Sequence, residues 1–264
     1  MTDSDFSGDQ ARYYAAYRRG YPPAVLAVLA DTFSLDAESA VLDLGCGTGQ
    51  LTLPLAGIAG TVIGADPQPD MLRLARQAGL DHGLANISWI LAADTDLPAL
   101  ARSLGPASVN AVTIGNAIHW MQPDQLSTDL TPLIRPGGGI AVIANGSPIW
   151  LHDTPWAHAL QAHNEKWFGP TLSSCGTSAD ERRPYRDALT AAGFPDITEV
   201  SVSYDDALTL DYILGHLRSA TPDTQLSPSD WNEYETQLRD ILMRAEPSGV
   251  FVEHVDVVLL LAKR

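Results

Sequence analysis

Val41-Leu42-Asp43-Leu44-Gly45-Cys46-Gly47-Thr48-Gly49-Gln50 runs from a short apolar stretch through three alternating glycines into a segment of helical character. Strand, tight glycine turn and helix in that order make a ligand seat, because a backbone without Cβ atoms can turn sharply and be approached closely. The spacing is G-x-G-x-G. The dinucleotide fingerprint, G-x-G-x-x-G, places its third glycine one residue later and sets a pyrophosphate on the helix N-terminus. Residues 41–52 contain no Lys or Arg and no Gly-Lys pair occurs, which argues against a phosphate-cradling P-loop.

Outward from this loop the chain alternates. Apolar runs at 61–65, 87–91, 109–114 and 140–143 predict strands. Segments near 51–59, 67–77, 97–104 and 123–134 predict the helices between them, and Pro22-Pro23 opens another over 24–33. Apolar strands alternating with helices predict βαβ units around a parallel sheet. Asp66 closes the second run, seventeen residues after Gly49. There it can accept from ribose hydroxyls, cap the following helix, or do both.

After Asn145 the rhythm changes. Helices are expected at 156–167 and 181–192, a strand at 197–204, helices at 207–219 and 229–244, and a final strand at 251–261. The expected organisation is a single domain over 1–264. Within it, 1–35 is a helical cover, 36–145 the binding core, and 146–180 and 207–249 are lid-like insertions.

Sixteen basic residues face thirty-two acidic ones, a net charge of −16. Nucleic acids and anionic membranes call for a basic footprint, so neither is an expected partner. No uncharged apolar stretch is long enough for a transmembrane helix. The polar, acidic start lacks a signal peptide's basic and apolar regions, and the expected location is the cytoplasm. Cys46 and Cys175 make no disulfide framework, no Cys/His spacing matches a zinc site, and no metal is expected.

Several stretches together carry a resemblance: 42–49, Ala65-Asp66-Pro67 with Met71, Ala93-Asp94 before Leu97-Pro98, Asn116-Ala117-Ile118-His119-Trp120, and Arg135-Pro136-Gly137-Gly138-Gly139. Over roughly 10–145 the chain resembles class I S-adenosylmethionine-dependent methyltransferases of the small-molecule type. Tyr17 to Pro22 is similar to a subgroup related to trans-aconitate-type and antibiotic-tailoring enzymes. Beyond Asn145 the likeness is architectural only.

The resemblance implies an α/β, Rossmann-like sheet of seven strands. It would be mostly parallel with an antiparallel last strand, with helices on both faces and helical lid insertions. It also implies S-adenosylmethionine as cofactor, a sulfonium cation without phosphates, in keeping with a loop free of basic residues. Gly45, Cys46 and Gly47 would pass along its methionine and ribose parts. Asp43 would orient the ammonium, Asp66 the ribose, and Pro67 and Met71 would flank the adenine. Asp94, with Ala93 beside it, would accept from the adenine amino group. Asn116 and Ala117 would line the methionine end, and Arg18 with Tyr14 would meet the carboxylate.

His119 follows the fourth strand, at the end where open α/β sheets bind ligands. It is read as the catalytic candidate, either a general base or part of the pocket wall. Tyr13, Tyr17, Tyr21, Trp120 and Trp150 are the substrate-side candidates. The three tyrosines either cover the site or pack one face of an N-terminal helix on the sheet. The expected reaction is methyl transfer to an oxygen or nitrogen of a small molecule, secondary metabolites included. The alternative is a cofactor-binding protein of the same fold without methyl transfer, as a cyclase or a binding module. Substrate identity and oligomeric state are left open.

Overall fold

The computed structural model describes residues 6–169, 178–222 and 225–264. Helix α1 (Gly8–Tyr17) and α2 (Pro23–Phe33) precede the alternating core. The core runs β1 (Ala40–Leu44), α3 (Thr52–Leu55), β2 (Thr61–Asp66), α4 (Pro69–Asp81), β3 (Ile87–Leu91), α5 (Leu97–Leu104), β4 (Val109–Gly115), α6 (Pro123–Leu130) and β5 (Ile134–Asn145). Then come α7 (Pro155–Phe168), α8 (Ala179–Ala191), β6 (Asp196–Thr209), α9 (Leu210–Ala220), α10 (Pro228–Ala245) and β7 (Val250–Lys263).

The seven strands form one sheet in the order β3-β2-β1-β4-β5-β7-β6. The first five are parallel, and β7 lies antiparallel between β5 and β6. Strand alternation assigns the faces. Leu42 and Leu44 point into a core with Leu97, Leu100, Leu126, Leu130 and Leu189, from α5, α6 and α8. Val41 and Val62 point the other way, against Val25, Leu29 and Phe33 of α2 and Leu55 of α3. By the same alternation Asp43 shares the face of Val41, towards α3.

The helix expected over 51–59 closes after one turn, at Leu55, and hands over to turns that reach β2. The segment expected as helix to residue 134 gives way at Thr131 to a 3-10 turn with Pro132 in its first turn. Strand β5 then starts six residues earlier than its apolar run, because Ile134 pairs with Val109 before the Gly-rich stretch joins the ladder. Strand β6 runs five residues beyond its alternating core, since Asp205 to Thr209 pair with Val250 to His254. That extension passes the end of β5, whose pairing with β7 stops at Asn145–Val257. A third core covers it, made by Trp156 and Leu160 of α7, Ile213 and Leu217 of α9, Trp231 and Tyr234 of α10, and Phe251 of β7. Cys175 lies outside the described residues, as do residues 170–177 of the first lid-like insertion in all.

Candidate active site

The carboxyl ends of β1, β2, β3, β4 and β5 open into a cavity of about 750 Å³, where open α/β sheets place their ligands. Gly45, Gly47 and Gly49 all have positive φ (+69°, +55° and +91°). At Gly45 a Cβ would also stand 2.5 Å from the Cβ of Ala117, so the turn requires glycine twice over. Tyr14 and Gln50 brace the loop from outside, the Gln50 side chain donating to the Tyr14 carbonyl at 3.5 Å.

Asp43 is almost wholly buried. Its two oxygens accept from the hydroxyls of Thr52 (2.5 Å) and Thr113 (2.7 Å). Thr113 is its register partner on β4, and Thr52 opens α3. Burial outweighs those two bonds and pushes the carboxyl up to about 6. Asp66 accepts from the backbone N–H groups of Gly47 (2.8 Å) and Gln68 (2.9 Å). It therefore ties the glycine loop to the turn after β2 while lining the cavity. Burial raises its pKa, and the two N–H bonds oppose the shift.

Pro67, Met71, Ala93 and Asp94 continue the wall. The backbone N–H of Gln122 donates to Asp94 at 3.3 Å. Asn116 holds φ of +50°, a conformation asparagine tolerates. Its side-chain oxygen accepts from the backbone N–H of Asn145 (2.8 Å), joining the ends of β4 and β5. Cys46 is buried, and burial pushes its thiol well above the ordinary value, so it is an inert wall group.

His119 sits on a 3-10 turn, Ile118–Trp120, immediately after Ala117. Its ring packs beside that of Trp120, with centroids 5.1 Å apart. Partial burial lowers its pKa, Glu181 opposes the shift and Arg18 adds to it. Burial thus favours the neutral form of the ring. Trp120 is half exposed and meets Phe6 edge-on.

The N-terminal tyrosines divide between two faces. Tyr14 and Arg18, one helical turn apart, face the cavity. The Arg18 guanidinium lies over the Tyr14 ring (5.1 Å), and its Nε donates to Ser219 of α9 at 2.8 Å. Tyr21 lines the cavity too, and burial raises its pKa well above the ordinary value. Tyr13 and Tyr17, expected on the substrate side, do not line it. They stack on each other, Tyr13 lies near the Arg218 guanidinium, and Tyr17 meets Tyr212 of α9 edge-on. The physical reason is Gly215, where a Cβ would stand 2.3 Å from the Tyr17 ring, so α9 accepts that ring in a notch.

The structure thus brings His119, Tyr14, Arg18, Asp43, Gly45, Cys46, Gly47, Asp66, Pro67, Met71, Ala93, Asp94, Asn116, Ala117, Tyr21, Trp120 and Trp150 to one cavity. The sequence reading missed Phe6, Arg19, Asn145, Asn164 and His216, which also line it. Only Asn145 carried a local signal, as the residue that ends the fifth strand. Among the described residues, no group of three or more His, Cys, Asp and Glu could hold a metal, and no helix is long and apolar enough to cross a membrane.

Residues 41–138 match the family described as methyltransferase domain. An uncharacterised methyltransferase of Mycobacterium tuberculosis is 34% identical over 133 residues, 49% of either chain. One of Schizosaccharomyces pombe is 28% identical over 181 residues, 68% of this chain and 66% of its own. A 23S rRNA uracil C5-methyltransferase of Shewanella sediminis is 30% identical over 128 residues, covering 40% of this chain and 28% of its own. This chain spans about half the length of the first of these relatives. Among solved structures, the YcgJ protein of Bacillus subtilis has a TM-score of 0.56 at 16% identity, covering 92% of this chain and 99% of its own. The cyclase SpnF has 0.52 at 16%, covering 91% and 80%. At such identities the structures share the fold alone.

Proposed function

We propose that this chain, whose residues 41–138 match the methyltransferase domain family, is a class I, S-adenosylmethionine-dependent enzyme that transfers a methyl group to an oxygen or nitrogen of a small molecule. The observation that carries the reading is the convergence of Asp43, Asp66 and Asp94, from three successive strand ends, around a glycine loop that has no basic residue. That wall suits a cationic ligand rich in hydroxyl and amino donors and free of phosphate. Bound there, the cofactor supplies an electrophilic methyl on a sulfonium.

The chain's own residues do the rest. Asp66 has its carboxylate oriented by two N–H groups and accepts from the ribose hydroxyls. Asp43, held by Thr52 and Thr113, faces the ammonium. Asp94 meets the adenine amino group, between Met71 and the turn that starts at Ala93. Arg18 closes the carboxylate end from α1. His119 accepts the proton that an attacking hydroxyl or amine must lose, and the lid side holds that nucleophile in line. Positioning of this kind can contribute roughly 7–11 kcal/mol.

A small-molecule acceptor is supported by the net charge of −16, which disfavours a nucleic-acid backbone. The test is production of S-adenosylhomocysteine from S-adenosylmethionine by the full chain across a library of phenols, amines and hydroxy acids. Acceptor-dependent product that Asp66→Ala abolishes is the expected result. Cofactor binding without product for any acceptor would favour the cyclase or binding-module alternative.

A further inference from the structure

The cavity has two halves of opposite character. The strand-end half carries the three carboxylates of Asp43, Asp66 and Asp94. The other half is built from the end of β5, the turn after it, α7 and α9. Among the described residues its lining holds no Asp, Glu or Lys, and two guanidinium groups reach it, that of Arg18, bonded to Ser219 of α9, and that of Arg19.

Arg19 is held from behind. Its Nη2 bonds Glu253 of β7, which is almost wholly buried and does not line the cavity. The Nε2 of His152 stands 3.2 Å from the other Glu253 oxygen. The Arg19 side chain keeps only 10% of its surface exposed. Its Nη1 is buried and finds no acceptor among the described residues. That nitrogen sits against Gly146, another lining residue, where a Cβ would stand 3.6 Å away. Trp150, in the same half, has its indole N–H buried and without a partner as well.

A guanidinium presents five N–H donors in a planar fork. A buried donor without an acceptor costs free energy that a ligand oxygen can recover. Arg19, paired with Glu253 through its other arm, and Trp150 both line this half, and a small side-chain shift that uncovers their unpartnered N–H groups would let them meet an anionic oxygen pair. Trp150, Phe168 and Leu217 line the same cavity and suit an apolar body. Asn145, whose side-chain N–H₂ donates to the Gly20 carbonyl, keeps an unpartnered Oδ1 beside them. That oxygen can accept from an O–H or N–H on the same ligand.

We propose that Arg19 anchors a carboxylate on the methyl-accepting molecule, which is then an aryl or other apolar carboxylic acid. The assignment rests on the methyltransferase reading above for the word acceptor, and on Arg19 and its surroundings for the acid. Glu253 is a positioning residue that holds the guanidinium so that its second arm serves the ligand.

The experiment is calorimetric titration of the full chain, saturated with S-adenosylhomocysteine, with matched acids and amides: benzoate and benzamide, phenylacetate and phenylacetamide, 4-hydroxybenzoate and 4-hydroxybenzamide. The acids should bind at least about tenfold more tightly than their amides, as charge-assisted bonds do. Arg19→Lys keeps a cation for Glu253 but loses the fork, and should reduce that preference to within about twofold while leaving S-adenosylhomocysteine affinity unchanged. Should the lysine variant fail to fold, Arg19→Gln with Glu253→Gln removes both charges together and should lose the preference too. Acids that bind no better than amides, or a preference that survives in either variant, would overturn the proposal. If the wild-type chain does not bind S-adenosylhomocysteine, the cofactor reading falls separately, and the acid–amide comparison on the unloaded chain still decides the role of Arg19.

Discussion

Asp43 and His119 are the residues whose chemistry depends most on where they are buried. Asp43 is pushed up to about 6 by desolvation. A cationic ligand group beside it favours the ionised carboxylate, so a proton and the ligand's ammonium compete. Affinity for S-adenosylhomocysteine should therefore fall as pH drops through about 6 and rise to a plateau above it. A calorimetric pH series on wild type and Asp43→Asn checks this: the variant should bind weakly and without that dependence. His119 has the opposite sign of shift, since burial disfavours its cation. The acid limb of the rate profile should lie below the ordinary imidazole value, with activity lost as the ring protonates. His119→Ala should lower the rate by roughly 10²–10⁴-fold with cofactor affinity kept. A His119→Asn enzyme that retains most activity would leave the ring a wall and positioning the main effect.

Helix α1 is the element whose role the sequence alone left undecided. Its tyrosines obey helical spacing, so Tyr14 pairs with Arg18 on one face and Tyr13 with Tyr17 on the next. Spacing does not say which face meets the cavity. Helix α9, some two hundred residues later, makes that choice by offering the notch at Gly215, the Ser219 hydroxyl to Arg18, and the Arg218 guanidinium to Tyr13. The cover is thus docked on the helical insertion as well as on the glycine loop. Amide exchange over residues 8–21 should slow when S-adenosylhomocysteine binds, read by mass spectrometry. Gly215→Ala should cost about 1–3 kcal/mol in a denaturant titration, because overpacking against the Tyr17 ring exceeds the helix-propensity gain. The same variant should speed exchange in α1. Unchanged protection there would detach the cover from α9.

For the whole molecule, charge and topology point the same way. The chain carries a net charge of −16, and among the described residues the cavity's Lys and Arg side chains are Arg18 and Arg19 alone. A 23S rRNA fragment should show no retardation with this chain at about 0.15 M salt, where only close contacts escape screening. Stable retardation there would reopen a nucleic-acid acceptor. The long antiparallel β6–β7 pair matters at this scale too. By running past the end of β5 it lifts α7, α9 and α10 over the strand ends and delivers Glu253 behind Arg19.

By itself the sequence determined the βαβ core and which residues stand at the strand ends that open into the cavity, because both are local. The alternating glycines, the period-two face of Asp43 and the position of Asp66 at a strand end are set within a few residues of chain. One register relation, Asp43 to Thr113, then completes the strand-end half. The opposite half, apart from Trp150 and Tyr21, was decided by tertiary structure. Arg19 and Glu253 are 234 residues apart, Tyr17 and Gly215 nearly as far, and no periodicity links them. A buried charge is tolerable only where its counter-charge arrives, and a ring can be buried only where a neighbour leaves room. Both conditions come into being only when the ends of the chain pack together.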